Sequence, residues 1–208
     1  MITPREYISH SQKKLWKQNP DRYIDLYLYD GKKFESTQTR FGSKVAHSLE
    51  FEEDTGDVEL DAVIEMLPKF ELMDQPSNAE IVSGKKKVQV HGRMDTRKGD
   101  HSAFKEYKTG MYSKEGKPAW TQRKVDEDKQ ITFYAMICYL LTKKVPEDIE
   151  LVWAVTDWSP HDENTIILTG EVNRFRTKRT LAQVIEEMAD TMKVWDEIVA
   201  GCKEELSI

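Results

Sequence analysis

Within the run VQVHGRMDTRKGDHSAFKEYKTG, residues 88–110, which reads as a β-hairpin, Asp95, Glu106 and Lys108 are charges costly to place on its strands. Side chains on a strand alternate between its two faces, so Glu106 and Lys108 share one face and Tyr107 takes the other. A hairpin brings Asp95, at the end of the preceding strand, beside them. Carboxylates held together repel, and burial raises their pKa unless a cation offsets them. A hard divalent cation resolves this, and Mg²⁺ commonly sits with one or two carboxylates plus substrate phosphate. Such an ion polarises a phosphoryl oxygen and generates hydroxide near neutral pH. Lys108 beside it can orient the attacking water and offset the negative charge of the transition state. The chemistry that fits all three is metal-dependent hydrolysis of a phosphodiester. The competing reading is an exposed hairpin with a surface salt bridge. Glu-x-Lys also occurs at Glu115/Lys117 and Glu127/Lys129, so only the apolar strand setting and the preceding Asp single this instance out.

The elements that must position these groups follow from periodicity and caps. SHSQKKLWKQNP predicts a short helix stopped at Asn19-Pro20, and DRYIDLYLYDG a second helical or extended piece. TRFGSKVAHSLEFEED, residues 39–54, has Phe41, Val45, Leu49 and Phe51 at helical spacing. DVELDAVIEMLP leans to helix up to Pro68. AEIVSG, KKVQVHGRMD and SAFKEYK then predict a three-strand meander. DEDKQITFYAMICYLLTKK predicts a helix with Ile131, Tyr134, Cys138 and Leu141 along one stripe. IELVWAVTDW and NTIILTGEV predict strands separated by the loop SPHDE, residues 159–163. The last helix opens on the capping box Thr180–Gln183, presents Leu181, Val184, Ile185, Met188, Met192, Trp195 and Ile198 as its apolar face, and ends at Gly201. The expectation is one α/β domain over 1–208, a mixed sheet flanked by helices. Within it, residues 1–70 form a helical N-terminal region, 71–175 the catalytic sheet and helix, and 176–208 the C-terminal helix.

GRMD, then EYKTG with Glu106 eleven positions beyond Asp95, then DEDKQITFYA resembles the RecB-like branch of the PD-(D/E)XK nucleases. That signature is an Asp, a Glu or Asp followed by x-Lys, and a helix bearing Gln-x-x-x-Tyr, here Gln130 and Tyr134. FGSKVAHSLE resembles the family's Gly-x-x-x-x-His helix, and SQKKLWKQNPDRY its first helix, so the likeness spans most of 9–157. The resemblance implies a restriction-endonuclease-like fold and makes Asp95 and Glu106 metal ligands, joined by the backbone carbonyl of Tyr107 and by His47. It makes Lys108 the catalytic lysine, with Gln130 and Tyr134 as active-site supports. It implies Mg²⁺ or Mn²⁺ as cofactor and DNA as substrate, as a single strand or a duplex end. Met94 stands where the family name has Pro. Relatives with an iron–sulfur cluster carry a Cys before the first helix's Pro and three near the C-terminus; Asn19 and a single C-terminal Cys202 imply no cluster. Size and the long last helix resemble lambda exonuclease, which suggests an end-dependent exonuclease in recombination, repair or phage DNA processing. A strand-annealing or recombination partner and a homo-oligomer would follow from the same analogy.

Composition sets outer bounds. Charged residues make up 33% of the 208, and the formal net charge is −6, which counts against a protein that merely coats nucleic acid by charge. Two distant cysteines, Cys138 and Cys202, argue for a reducing compartment and against a thiolate metal site. MITPREYISH lacks the apolar segment of a secretory leader, and the apolar run from Ile131 to Leu141 is too short to span a bilayer, so the expected setting is cytoplasmic and free of membrane. The loop MYSKEGKPAWTQRK interleaves Lys114, Lys117, Arg123 and Lys124 with Tyr112 and Trp120, a composition that suits single-stranded nucleic acid or a plain solvated loop equally. In KKLWK, Leu15 and Trp16 can pack inward while Lys13, Lys14 and Lys17 face phosphate or water. The alternative function is a DNA-binding module with the nuclease fold and no turnover.

Overall fold

A computed structural model describes residues 5–32, 35–51, 53–162 and 164–206. Glu52, within the helix expected over 39–54, Glu163, in the loop 159–163, and the first four residues of the N-terminal run lie outside the described residues. The chain runs through strand β1 (Tyr7–Ile8) and helices α1 (His10–Gln18), α2 (Pro20–Leu28), α3 (Thr37–Phe51) and α4 (Val58–Glu65). Strands β2 (Leu72–Met73), β3 (Pro76–Ser83), β4 (Lys86–Arg93), β5 (Thr96–Arg97) and β6 (Ala103–Gly110) follow. Helices α5 (Gln122–Asp126) and α6 (Lys129–Thr142), strands β7 (Asp148–Trp158) and β8 (Ile166–Thr177), and helix α7 (Leu181–Glu205) complete it. Among the described residues no helix is long and apolar enough to cross a membrane.

Local chemistry accounts for most boundaries. The Ser9 side chain caps α1 in a box with Gln12. Asn19 closes α1 and caps α2, whose first residue is Pro20, a position where the missing N–H costs nothing. Asp128 caps α6, and Thr180 with Gln183 opens α7 as expected.

The strands form a mixed five-stranded sheet in the order β2-β5-β6-β7-β8, with β6 and β7 parallel, and a three-stranded sheet in the order β1-β4-β3. The expected meander is therefore divided between two sheets. The division falls at Met94–Asp95, because Met94 turns fully into the core and Asp95 Oδ2 accepts the Tyr107 N–H at 2.6 Å. A side-chain oxygen takes the donor that a continued backbone ladder would use, so only Thr96 and Arg97 pair with β6.

Helices cover the larger sheet on both faces. Tyr107, Val152, Ala154, Leu168 and Val172 pack against Val45, Leu49, Leu60 and Ile64 of α3 and α4. On the other face Phe104, Leu151, Trp153 and Val155 pack against α6, α7 and α1. Helix α6 also receives Ile81, Val88 and Val90 from the smaller sheet, so it is buried continuously from Ile131 to Cys138. The single stripe expected for this helix is thus an apolar surface all round, the pattern of a helix enclosed by its neighbours, and Leu141 is exposed. The face of α7 differs as well: Leu181 and Ile185 are exposed, while Glu187 and Thr191 are buried. Their partner is Lys13, which faces neither phosphate nor water; its ammonium is bonded to Glu187 and, at 2.6 Å, to Asp190, and lies 3.2 Å from Thr191 Oγ1. Lys17 joins Asp190 at 2.6 Å.

Two glycines permit close approach. Gly201 does not end α7, which continues to Glu205; a Cβ there would lie 2.5 Å from Trp16 Cη2. At Gly92 a Cβ would lie 2.6 Å from Ile137 Cδ1 and 3.0 Å from Tyr134 Cε1, so this residue sets how closely α6 sits on β4. Gly92→Ala is expected to cost about 1–3 kcal/mol by overpacking, read as a lower urea midpoint. Because Val has no Cδ1, adding Ile137→Val should return part of that loss. Strict additivity of the two substitutions would show that α6 is not seated through this contact.

Candidate active site

Strand β6 presents Glu106 and Lys108 to α6, as alternation requires, and α6 answers with Gln130 and Tyr134 one turn apart. Lys108 Nζ donates to Glu106 Oε1 at 2.6 Å and to Gln130 Oε1 at 3.0 Å. Gln130 Nε2 donates to the same Glu106 Oε1 at 2.7 Å and to Tyr134 Oη at 3.0 Å. The amide of Gln130 therefore holds lysine and carboxylate together, and Tyr134 fixes the amide. Glu106 Oε2 is buried and, like Ser77 Oγ and Arg97 Nε, has no hydrogen-bond partner among the described residues. Asp95 is tied to β6 by accepting the Tyr107 N–H, close enough for its charge to act on Glu106 and Lys108.

Burial, and then the charge of Asp95, push the Glu106 carboxyl up to about 8 against the pull of Lys108. Burial raises Asp95 to about 6, opposed by Lys108 and the Tyr107 N–H. Lys108 is drawn down by burial and raised more strongly by Glu106 and Asp95, so its ammonium is held above the ordinary range. The two acids thus lie in an environment short of positive charge.

Two further carboxylates were not anticipated. Asp74, next to β2, donates its backbone N–H to the Asp95 carbonyl at 2.9 Å and sits in the left-handed region with φ 40°. Burial raises its carboxyl to about 6 despite Arg93, with Glu50 and Glu106 adding to the rise. Glu50 of α3 meets Arg93 at 3.3 Å, and Arg93 meets Asp74 at 2.6 Å. His47 is not brought to this group. Its side chain is 60% exposed, with Nε2 3.5 Å from Glu53 and its ring against Phe51. At about 100° per residue, His47 lies about 160° and Glu50 about 140° from Val45, so helical spacing alone does not separate them; the contact with Arg93 that distinguishes Glu50 is made only in the folded chain. For Asp74 no local pattern existed, since its position depends on a contact with Asp95 made only in the folded chain.

The loop after β6 is mixed. Trp120 packs against the core, Arg123 pairs with Glu127 at 3.1 Å, and Lys124 Nζ donates to the Ala119 carbonyl at 2.7 Å. Lys114 and Lys117 are exposed around a turn closed by Ser113, and Tyr112 is exposed with its ring 5.1 Å from that of Trp153.

Among the described residues no group of three or more His, Cys, Asp or Glu side chains forms a ready cation site. The fit of a divalent cation instead rests on Asp95 and Glu106 as a pair. Two hard oxygen donors in a buried setting, one with an unpartnered oxygen, suit an ion that takes one or two protein carboxylates and completes its shell from water and substrate.

No protein-family model matches the sequence, and no curated protein does. Solved structures do share its shape. One is described as a candidate exonuclease from Eubacterium rectale, with 14% identity, 96% of this chain and 82% of the other covered, and a TM-score of 0.61. Another is a phage-related exonuclease from Haemophilus somnus 129PT, with 12% identity, 96% and 92% covered, and a TM-score of 0.50. These likenesses establish the fold: the chain has the restriction-endonuclease-like fold. It is the fold that the motif resemblance implied.

A groove of about 800 Å³ adjoins Gln130, between α1, the start of α6 and α7, with His10 on its wall. Burial first, then Lys14, Lys13 and Lys108, lower the His10 imidazole to about 4, against the pull of Asp128. The folded value lies below that of the unfolded chain, about 6.5. The unfolded state therefore binds the extra proton across this window, and the stabilisation is complete above pH 6.5 and lost as pH falls toward 4. In His10→Gln the stability difference between pH 7 and pH 4 should shrink by on the order of 2 kcal/mol, measured by urea unfolding. An unchanged difference would show that the ring titrates alike in both states.

Proposed function

We propose that the protein is a metal-dependent deoxyribonuclease that hydrolyses phosphodiester bonds from DNA ends. The observation that carries this reading is the buried Glu106 carboxylate, held at Oε1 by Lys108 and Gln130 and unpartnered at Oε2, next to Asp95. A salt bridge with no further purpose would not be expected to leave a buried carboxylate oxygen without a partner, because that oxygen costs about 1–3 kcal/mol. Asp95, Glu106 and the Tyr107 carbonyl would hold Mg²⁺ or Mn²⁺, with Glu50 taking the role on α3 that the resemblance implied for His47. The ion supplies Lewis acidity toward the phosphodiester. Lys108 orients water for in-line attack and offsets charge on the non-bridging oxygens. Gln130 keeps Lys108 directed at the reacting group, and Tyr134 keeps Gln130 in place. The similarity of the fold to that of proteins described as exonucleases favours action at ends.

End-labelled linear and closed-circular DNA, incubated with Mg²⁺, Mn²⁺ or EDTA, provides the test. Metal-dependent loss of the linear form alone, reduced by about 10³-fold or more in Lys108→Ala, is expected. Cleavage of the circle would make the protein an endonuclease. DNA binding without cleavage would make it a binding module. Thermal unfolding gives a readout free of turnover: Mg²⁺ should raise the Tm of the wild type and not that of Glu106→Gln.

A further inference from the structure

Resting on the nuclease reading, we propose that Arg93 is a phosphate contact for the DNA strand being cut, held between Glu50 and Asp74 until the substrate takes their place. Arg93 is the last residue of β4, and its side chain is 51% exposed at the rim of the carboxylate group. One terminal nitrogen reaches Asp74 Oδ2 at 2.6 Å and Glu50 Oε1 at 3.3 Å, while Nε donates to the Asp74 carbonyl at 3.2 Å. A guanidinium fork presents paired N–H groups that match two phosphate oxygens as well as it matches carboxylates.

Charge decides why this arginine matters. The described ion pairs of Glu50, Asp74 and Glu106 run to two cations, Arg93 and Lys108. Lys108 is committed to Glu106 and Gln130. Lys13 and Lys17 are bound to Glu187 and Asp190, and Lys105 and Arg174 to Glu150 on the face of the sheet that carries Tyr107. An arriving phosphodiester adds negative charge to a group already rich in it, and Arg93 is the half-exposed cation there.

Asp74 has an anchor besides Arg93. The backbone N–H of Asp74 is anchored on the Asp95 carbonyl, so the acid keeps its place if the guanidinium leaves. The guanidinium itself is half-exposed, so it can exchange carboxylate for phosphate without leaving the solvent boundary. The opposing possibility is that Arg93 is only a structural counterion for Glu50 and Asp74.

The two are separated by DNA binding without turnover. Fluorescence anisotropy of end-labelled DNA with Lys108→Ala protein in Mg²⁺, repeated across a KCl series, gives affinity and salt slope. Adding Arg93→Gln should weaken binding about tenfold and reduce the slope of log K against log [salt] by about 0.7–0.9, the value of one phosphate contact. Arg93→Lys should keep the slope and lose only a fraction of the affinity, because charge remains and the fork does not. Unchanged affinity and slope in Arg93→Gln, with a lowered unfolding midpoint, would identify a structural counterion and overturn the proposal. If neither Lys108→Ala nor the wild type in EDTA binds DNA at low salt, the nuclease reading itself fails, and this inference with it.

Discussion

Helix α6 has no solvent face between Ile131 and Cys138, and the rest of the chain is arranged to cover it. One side meets the large mixed sheet, another the small sheet, and the remainder α1 and α7. A helix enclosed in this way cannot rotate or slide without opening voids, because protein interiors are packed as densely as organic crystals. Gln130 and Tyr134 inherit that rigidity. Gly92 belongs to the same constraint, since any side chain there would lift the helix from β4. Gln130, which bonds to Lys108, and Tyr134, which bonds to Gln130, thus stand on a helix whose turns from Ile131 to Cys138 are buried on every side.

Against this rigid background the site is electrostatically incomplete. Two other buried acids are given close cationic partners. Glu150 receives both Lys105 and Arg174, and Glu187 receives Lys13. The Glu150 carboxyl is held below the ordinary range by these cations, burial notwithstanding. Glu106 is different: Lys108 and Gln130 share one oxygen and leave the other bare. The contrast within a single molecule is informative. This chain can neutralise buried acids fully, and at Glu106 it does not. Perturbed acids beside an unmet polar atom are a recurrent property of reactive centres.

The bend at Met94–Asp95 links the two sheets to the site. Continuing β4 into β6 as one meander would have used the Tyr107 N–H in a backbone ladder. Its capture by the Asp95 carboxylate ends the ladder, starts the second sheet, and leaves Asp95 beside Glu106. The same bend exposes the Asp95 carbonyl to the Asp74 N–H, and so draws a distant acid to the rim.

What the sequence determined by itself was whatever local rules govern. Alternation put Glu106 and Lys108 on one face, the one-turn spacing put Gln130 and Tyr134 on one side of a helix, and the caps at Asn19, Asp128 and Thr180 set helix ends. The α/β layering followed from the order of those periods, and the motif resemblance correctly implied the fold. Local rules could not decide what depends on a neighbour remote in sequence. Gly201 reads as a helix stop, yet it is the site where Trp16 presses on α7. Glu187 reads as surface, yet it is buried, because Lys13 arrives from the other end of the chain to neutralise it. His47 fits a motif, but its side chain is exposed in the fold, and Glu50 of the same helix meets Arg93 instead. Asp74 had no signature at all. Burial, pairing and the direction of a side chain are properties of two surfaces meeting, and only the tertiary structure brings the second surface.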